Sequence, residues 1–383
     1  MFSQLVEFIR AKYETKEFIP LHAPVFNGRE EEYVVDTIRS TFVSSVGAYV
    51  DRFESDMAKY TGAEKATAVV NGTAALHTAL ILAGVQQNDL VLTQSLTFVA
   101  TCNAIRYCGA EPVFLDVDLD TMGLSPLATS QWLADNAHLD SDGTCRLKGS
   151  HQAIRACLPM HTFGHPVKLD ELIEVCRQWN IQLIEDAAES LGSFYKNKHT
   201  GTFGLLGTLS FNGNKVMTTG GGGMVLSNTE LGFKAKHLTT TAKRAHPYEF
   251  FHDEVAFNYR MPNLNAALGC AQLEQLSRFI FAKRKLASDY IEFFEDSPLQ
   301  FFREPENCES NYWLNAVICE SAAERDALLK ATNENGVMTR PIWTLMNKLP
   351  MYKSCLKDSL QNAEWLESRV VNLPSSVILN SDV

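Results

Sequence analysis

Seven short runs rich in apolar residues, separated by stretches of helical periodicity, restrict this chain to a layered α/β architecture. The runs fall at 65–70, 90–93, 112–117, 154–160, 182–185, 208–211 and 224–227. Several are nearly unbroken in apolar residues, where a strand wet on one face would alternate; they read as strands buried on both faces of a mainly parallel sheet. Between them, segments such as 74–83 and 169–179 space their apolar residues as amphipathic helices do. The alternation predicts a large domain with a seven-stranded, mainly parallel mixed sheet between helices.

The texture changes near Asn263. Residues 264–286, which include ALGCAQLEQLSRFIFAKRKL, read as one long helix, and the remainder mixes shorter strands and helices. A chain of 383 residues exceeds what one small core organises. The expected division is a helix and lead-in over 1–20, a large domain over 21–262, and a smaller C-terminal α+β domain over 263–383. Residues 239–262 stand apart as polar, aromatic and rich in histidine, and so long a loop inside a compact chain is commonly functional.

Composition removes several classes of function. The net charge of −11 argues against a nucleic-acid partner, because phosphate backbones reward a basic face. No stretch approaches the roughly 20 apolar residues that cross a bilayer. The N-terminus carries Glu7, Arg10 and Lys12 among its apolar residues and reads as an amphipathic helix, not a targeting segment. Nine cysteines, an odd number without a CxxC pair, suit reduced thiols in a cytoplasmic protein.

Chemistry is concentrated in three places. In TLSFNGNKVMTTGGGGMV a predicted strand ends, presents Lys215, and runs into Gly220–Gly223, where backbone is able to approach a planar ligand closely. A desolvated lysine amine is a nucleophile toward an aldehyde. In IQLIEDAAES the carboxylate of Asp186 follows an apolar strand, at the strand end where open α/β sheets bind ligands. An acid in that position keeps the ring nitrogen of pyridoxal 5′-phosphate (PLP) protonated, which makes the ring an electron sink. In VVNGTAALHTAL a strand passes through Gly72 and Thr73 into a helix whose free N–H groups suit a phosphate, and Ser210 offers a further hydroxyl. Each feature has a plainer alternative: a surface lysine in a glycine-rich turn, an Asp helix cap, an ordinary NGT cap, a buried strand serine.

Other motifs are missing. The glycine run lacks GxGxxG spacing, and there is no GxxxxGK[ST] loop or GxSxG elbow. His161 and His165 have the spacing of a zinc pair, but Gly164 and Pro166 oppose a helix there and no HExxH glutamate accompanies them, so no metal is expected.

Taken together, NGTAAL, EDAAESLGS and SFNGNKVMTTGGGGM resemble, in order and spacing, the nucleotide-sugar aminotransferases of the DegT/DnrJ/EryC1/StrS family. The resemblance extends over essentially the whole chain and implies a fold-type I PLP aminotransferase. EFIPLHAPVFNG, TFVSSVG, PMHTFGHPV, HLTTTAK, NYRMPNLNAALGCAQLEQL and TRPIWTLMNKLPMY are most similar to its legionaminic-acid-type branch. That branch implies amino transfer from L-glutamate to C4 of a UDP-linked, or GDP-linked, 2-acetamido-2,6-dideoxy-4-keto-hexose, in bacterial surface-glycan synthesis.

Carried onto this sequence, the resemblance makes Lys215 the Schiff-base lysine and the base that moves the substrate proton, with pyridoxamine 5′-phosphate formed between half-reactions. Asp186 matches the acid on the pyridinium nitrogen. Gly72, Thr73, Ala74 and Ser210 fall at the phosphate, and Phe98 on the ring. Glu189 stands where many members have Gln beside the phenolic oxygen, a departure from the pattern. Asn258 matches an asparagine that reaches the cofactor of a neighbouring subunit, which makes 239–262 an inter-subunit loop and the protein a homodimer with shared active sites. His161, Lys243, Tyr312 and Arg340 are candidate contacts for the sugar or diphosphate.

Two other functions compete. A PLP-dependent deoxysugar dehydratase of the C3 type has histidine in place of the lysine, so Lys215 opposes it. A non-catalytic regulator on the same fold has no need of an internal nucleophile.

Overall fold

The computed structural model describes residues 2–379; Met1 and residues 380–383, the outermost ends of the expected lead-in and C-terminal domain, lie outside it. Helices α1 (Phe2–Lys12), α2 (Glu30–Arg39) and α3 (Ala48–Thr61) precede the main sheet. Its seven strands are β1 (Lys65–Val69), β2 (Leu90–Gln94), β3 (Glu111–Leu115), β4 (Ile154–Cys157), β5 (Gln182–Asp186), β6 (Leu206–Ser210) and β7 (Gly223–Ser227), in spatial order β1-β7-β6-β5-β4-β2-β3. Helices α4 (Gly72–Leu82), α5 (Val99–Tyr107), α6 (Pro126–Asn136) and α7 (Leu169–Gln178) connect the early strands, and α8 (Thr229–Thr239) follows β7. Strand β7 runs antiparallel to both of its neighbours, and every other pairing is parallel.

Both faces of the sheet are covered, which explains the unbroken apolar runs. Val91 of β2 joins a core cluster with residues of α4 and α5. Its neighbours Leu90 and Leu92 point the other way, into a cluster with Trp132, Leu133 and residues of α7. Strand β4 is shorter than the apolar run around it, because Pro159 has no N–H to continue the ladder.

The antiparallel strand shapes the rim where the site lies. Gly223, the first residue of β7, pairs with Val69 at the end of β1 and with Ser210 at the end of β6. The start of α4, the end of β6 and the end of β5 therefore meet at one edge. The approach is close: a Cβ on Gly72 would lie 2.9 Å from that of Ser210.

The long helix α9 spans Asn263–Phe293, about 46 Å. Asn263 fixes its start by accepting the N–H groups of Tyr49 and Val50 at the head of α3 and donating to the carbonyl of Phe42. The first half of α9 packs on α2 and α3. Its far end joins Leu5, Val6 and Ile9 of α1 and a four-stranded antiparallel sheet formed by Gln300–Phe301, Asn315–Ile318, Val370–Leu373 and Arg340–Pro341. Ile19 also bridges Val337 in that second body. The N-terminal lead-in is thus built into the C-terminal body. No helix among the described residues is long and apolar enough to cross a membrane.

Candidate active site

Strand β5 ends in two adjacent carboxylates, and the pleat sends them opposite ways. Glu185 is wholly buried and accepts the N–H groups of Gly201, Phe203 and Gly204 and the Nε2 of His161, at 2.6 to 3.1 Å. Burial pushes its pKa up, but those donors prevail and hold it below the usual value. Asp186 faces the other side, into a cavity. The Thr101 hydroxyl of α5 donates to its Oδ2 at 2.8 Å, and the Ala188 N–H to its Oδ1 at 3.2 Å. Burial raises the Asp186 pKa, partly opposed by these donors and by the charge of Lys215.

Lys215 projects from the turn between β6 and β7, where its N–H donates to the carbonyl of Asn212 at 3.0 Å. Its Nζ lies 3.5 Å from Oε1 of Glu189 and 3.9 Å from the ring centre of Trp313. The other Glu189 oxygen accepts the N–H of Phe163 at 2.9 Å. Phe163 adopts φ +56°, a left-handed conformation that an aromatic residue rarely holds unless its surroundings impose it. The next residue meets the same crowding: a Cβ on Gly164, at φ +96°, would stand 1.9 Å from Asn311 Oδ1. Asn311 in turn donates to the carbonyls of Glu189 and Leu191. Buried in this frame, the Glu189 carboxyl is pushed up to about 7, with the charge of Lys215 opposing the rise.

The third wall is the head of α4. Asn71 caps it by accepting the N–H of Ala74 at 2.8 Å. The N–H groups of Gly72 and Thr73 precede the first intrahelical donor and face the cavity. Ser210 lies beside them, and Phe98, half-exposed at the start of α5, faces Trp343 across a ring separation of 6.4 Å. The enclosed volume is about 380 Å³.

Seven of the residues singled out in the sequence therefore line one cavity: Gly72, Thr73, Phe98, Asp186, Glu189, Ser210 and Lys215. Ala74 is a correction, since it is buried and its N–H already serves Asn71. His161 is another. It is wholly buried, its Nδ1 accepts the Val167 N–H at 3.2 Å, and its Nε2 faces Glu185, so neither nitrogen reaches the cavity. Tyr312 is buried and its hydroxyl accepts the Glu304 N–H. Arg340 is exposed on the second sheet, and Lys243 and Asn258 lie exposed on the 239–262 segment, away from this cavity. His165 does not join His161 in a metal pair; its ring meets the edges of Phe302 and Tyr312, and burial holds its pKa down at about 3.

Trp313, Trp343, Asn212, Asn214 and Met160 line the cavity and escaped the sequence reading. Trp313 anchors itself by donating from its indole N–H to the carbonyl of Asn214 at 2.6 Å. A signal existed for both tryptophans: Trp313 adjoins Tyr312, and Trp343 lies three residues past Arg340 in TRPIWTLMNKLPMY.

The model of the DegT/DnrJ/EryC1/StrS aminotransferase family matches residues 25–383. A GDP-perosamine synthase of Escherichia coli O157:H7 is 35% identical over 367 residues, covering 96% of this chain and 95% of that protein. A GDP-perosamine synthase of Vibrio cholerae is 34% identical, covering 93% and 94%. Among solved structures, the aminotransferase TlmJ of Streptoalloteichus hindustanus superposes with a TM-score of 0.84 at 26% identity, over 95% of each chain. Helicobacter pylori PseC, an aminotransferase in pseudaminic acid biosynthesis, shares the fold at a TM-score of 0.85 and 21% identity, over 96% of each.

Proposed function

The chain belongs to the DegT/DnrJ/EryC1/StrS aminotransferase family and is a PLP-dependent sugar aminotransferase; from that premise we propose that it moves an amino group from L-glutamate to C4 of a GDP-linked 4-keto-6-deoxy-hexose, with Lys215 as its covalent lysine. The observation that carries the reading is the convergence of Lys215, Asp186 and the head of α4 on one cavity.

The donors present fit the cofactor. Gly72, Thr73 and Ser210 offer two N–H groups and two hydroxyls to a phosphate at a helix start. Asp186, fixed by Thr101, offers its carboxylate to a ring nitrogen. Phe98 offers an aromatic face. When bound, PLP supplies an electron sink for the carbon that loses its proton. The chain supplies the rest: Lys215 takes and returns that proton at Nζ, Asp186 keeps the ring cationic, and Trp313 and Trp343 exclude water. Exchange with two amino carriers at one lysine implies ping-pong kinetics.

GDP is the nucleotide favoured here because the GDP-perosamine synthases are named for it. Resemblance to the legionaminic-acid-type branch supports instead a 2-acetamido sugar on UDP, and the assay separates the two. The exposed segment 239–262, with Asn258 and Lys243, is assigned to the partner subunit of a cytoplasmic homodimer. The test is mass spectrometry of the products after incubation with PLP, ¹⁵N-labelled L-glutamate and either nucleotide-linked 4-keto sugar. Label on the GDP-linked sugar is expected. Label on the UDP-linked sugar alone overturns the nucleotide, and label on neither overturns the proposal.

A further inference from the structure

We propose that Glu189 is the proton partner of Lys215, the two side chains holding one proton between them so that the lysine is supplied as a neutral amine before each transfer begins. The inference rests on the reading of Lys215 given above and adds a second acid–base group to it. A lysine held as an ammonium must lose a proton before it can act as a base, and a cavity screened from water offers few acceptors. Here one is built in.

The geometry is specific. One Glu189 oxygen is fixed by the Phe163 N–H at 2.9 Å, which leaves Oε1 directed at Nζ of Lys215, 3.5 Å away. Phe163 holds a left-handed backbone with its ring buried against Trp343 and its N–H ending on Glu189, and Asn311 locks the Glu189 backbone from the opposite side. Only 2% of the Glu189 side chain is exposed, so an isolated carboxylate there is costly and a protonated carboxyl is not. In the transfer an N–H bond of the lysine ammonium breaks, its electron pair stays on nitrogen, and an O–H bond forms on Oε1; the ion pair becomes a neutral pair.

The other ionisable groups around the pair leave this balance to Glu189. Asp186, from the end of β5, also faces Lys215, but its oxygens are engaged by Thr101 and Ala188, and His161 with Glu185 lies behind it. Beyond Trp313, Lys283 of α9 donates to the carbonyls of Trp313 and Ser375, with burial holding its pKa down at about 7. His22, ahead of α2, whose pKa burial and the charges of Lys283 and Lys215 depress, adds no anion. Among the described residues, Glu189 is thus the carboxyl group in ion-pair range of Nζ.

Infrared titration of the full chain loaded with pyridoxamine 5′-phosphate, which leaves the lysine free, reads the carboxyl directly. The carbonyl stretch of a protonated carboxyl is expected to persist to near-neutral pH in the native protein and to be missing in Glu189→Gln. In Lys215→Met the same band is expected to persist to a pH higher by roughly one unit, because the lysine cation is removed. A band that survives in Glu189→Gln, or a midpoint that does not move in Lys215→Met, overturns the proposal. Borohydride reduction of the PLP-loaded protein, with peptide mapping, keeps the two readings apart. Cofactor trapped on Lys215 alongside an unmoved midpoint sinks the proton partner alone, whereas cofactor trapped on another lysine sinks both.

Discussion

The cavity wall and the 239–262 segment are made of the same kinds of residue and use them in opposite ways. Around the cavity, Trp313 and Glu189 are enclosed and bonded within the chain, at 4% and 3% exposure. On the segment, Tyr248 and Phe250 are each 81% exposed and Val255 93%. That segment is nonetheless tied down, through bridges from Thr240 to Asn258 and from Lys243 to His252 and a contact between His237 and Asp253 at 2.6 Å. A held backbone that displays apolar side chains to water is the arrangement of a surface awaiting a partner. The difference teaches that the cavity groups are held by contacts within the chain while the segment presents its apolar side chains to something outside it.

The comparison is broken most forcefully at the cavity. Replacing Lys215 by Ala is expected to lower turnover by roughly three orders of magnitude or more, and Asp186→Asn by about a hundredfold, with thermal unfolding little changed. Asn keeps an oxygen for the Thr101 hydroxyl, so the second loss reports charge and not shape. Steady-state rates beside melting curves check both. Activity surviving in Lys215→Ala would mean that the enclosed residues are only structural.

On the segment the expectation is reversed, with assembly changing before chemistry. Tyr248→Ser combined with Phe250→Ser removes two rings that contribute little to this chain's own core. Sedimentation is expected to show a dimer passing to monomer, with activity falling about tenfold as Asn258 is withdrawn from a neighbour and the melting temperature moving by a few degrees at most. An unchanged sedimentation coefficient would detach the segment from the subunit interface and erase the contrast.

How much of this could be read beforehand follows from what each residue answers to. The sheet was legible because burial on both faces writes itself into runs such as LVLTQ, and the meeting of Lys215, Asp186 and the head of α4 at one cavity was legible because each follows the end of a strand. Residues whose role depends on distant partners were not. His161 looks like a ligand in sequence, and only the fold brings Glu185 and the Val167 N–H to its two nitrogens. Trp313 and Trp343 reach the cavity wall only because the second body is set against the first. The lead-in, expected as a separate piece, is absorbed into the C-terminal body because Leu5 and Ile9 find their apolar partners there.

The smallest effect separates the regions by pH. Burial raises the folded-state pKa of Glu189 from 4.5 to about 7. Below its unfolded value the group is protonated in both states and destabilises neither. As pH climbs toward 7 the unfolded chain ionises freely while the folded one resists, so the stability this group contributes is lost across that window. Glu189→Gln has no such loss and keeps an oxygen for the Phe163 N–H. The variant is therefore expected to match the native chain near pH 4.5 and to gain on it progressively, by no more than about 3 kcal/mol once pH passes 7. Denaturant unfolding at a series of pH values measures the difference. A constant offset would assign Glu189 a packing role without a titration, and a difference that shrinks as pH rises would mean that the Lys215 ion pair outweighs burial.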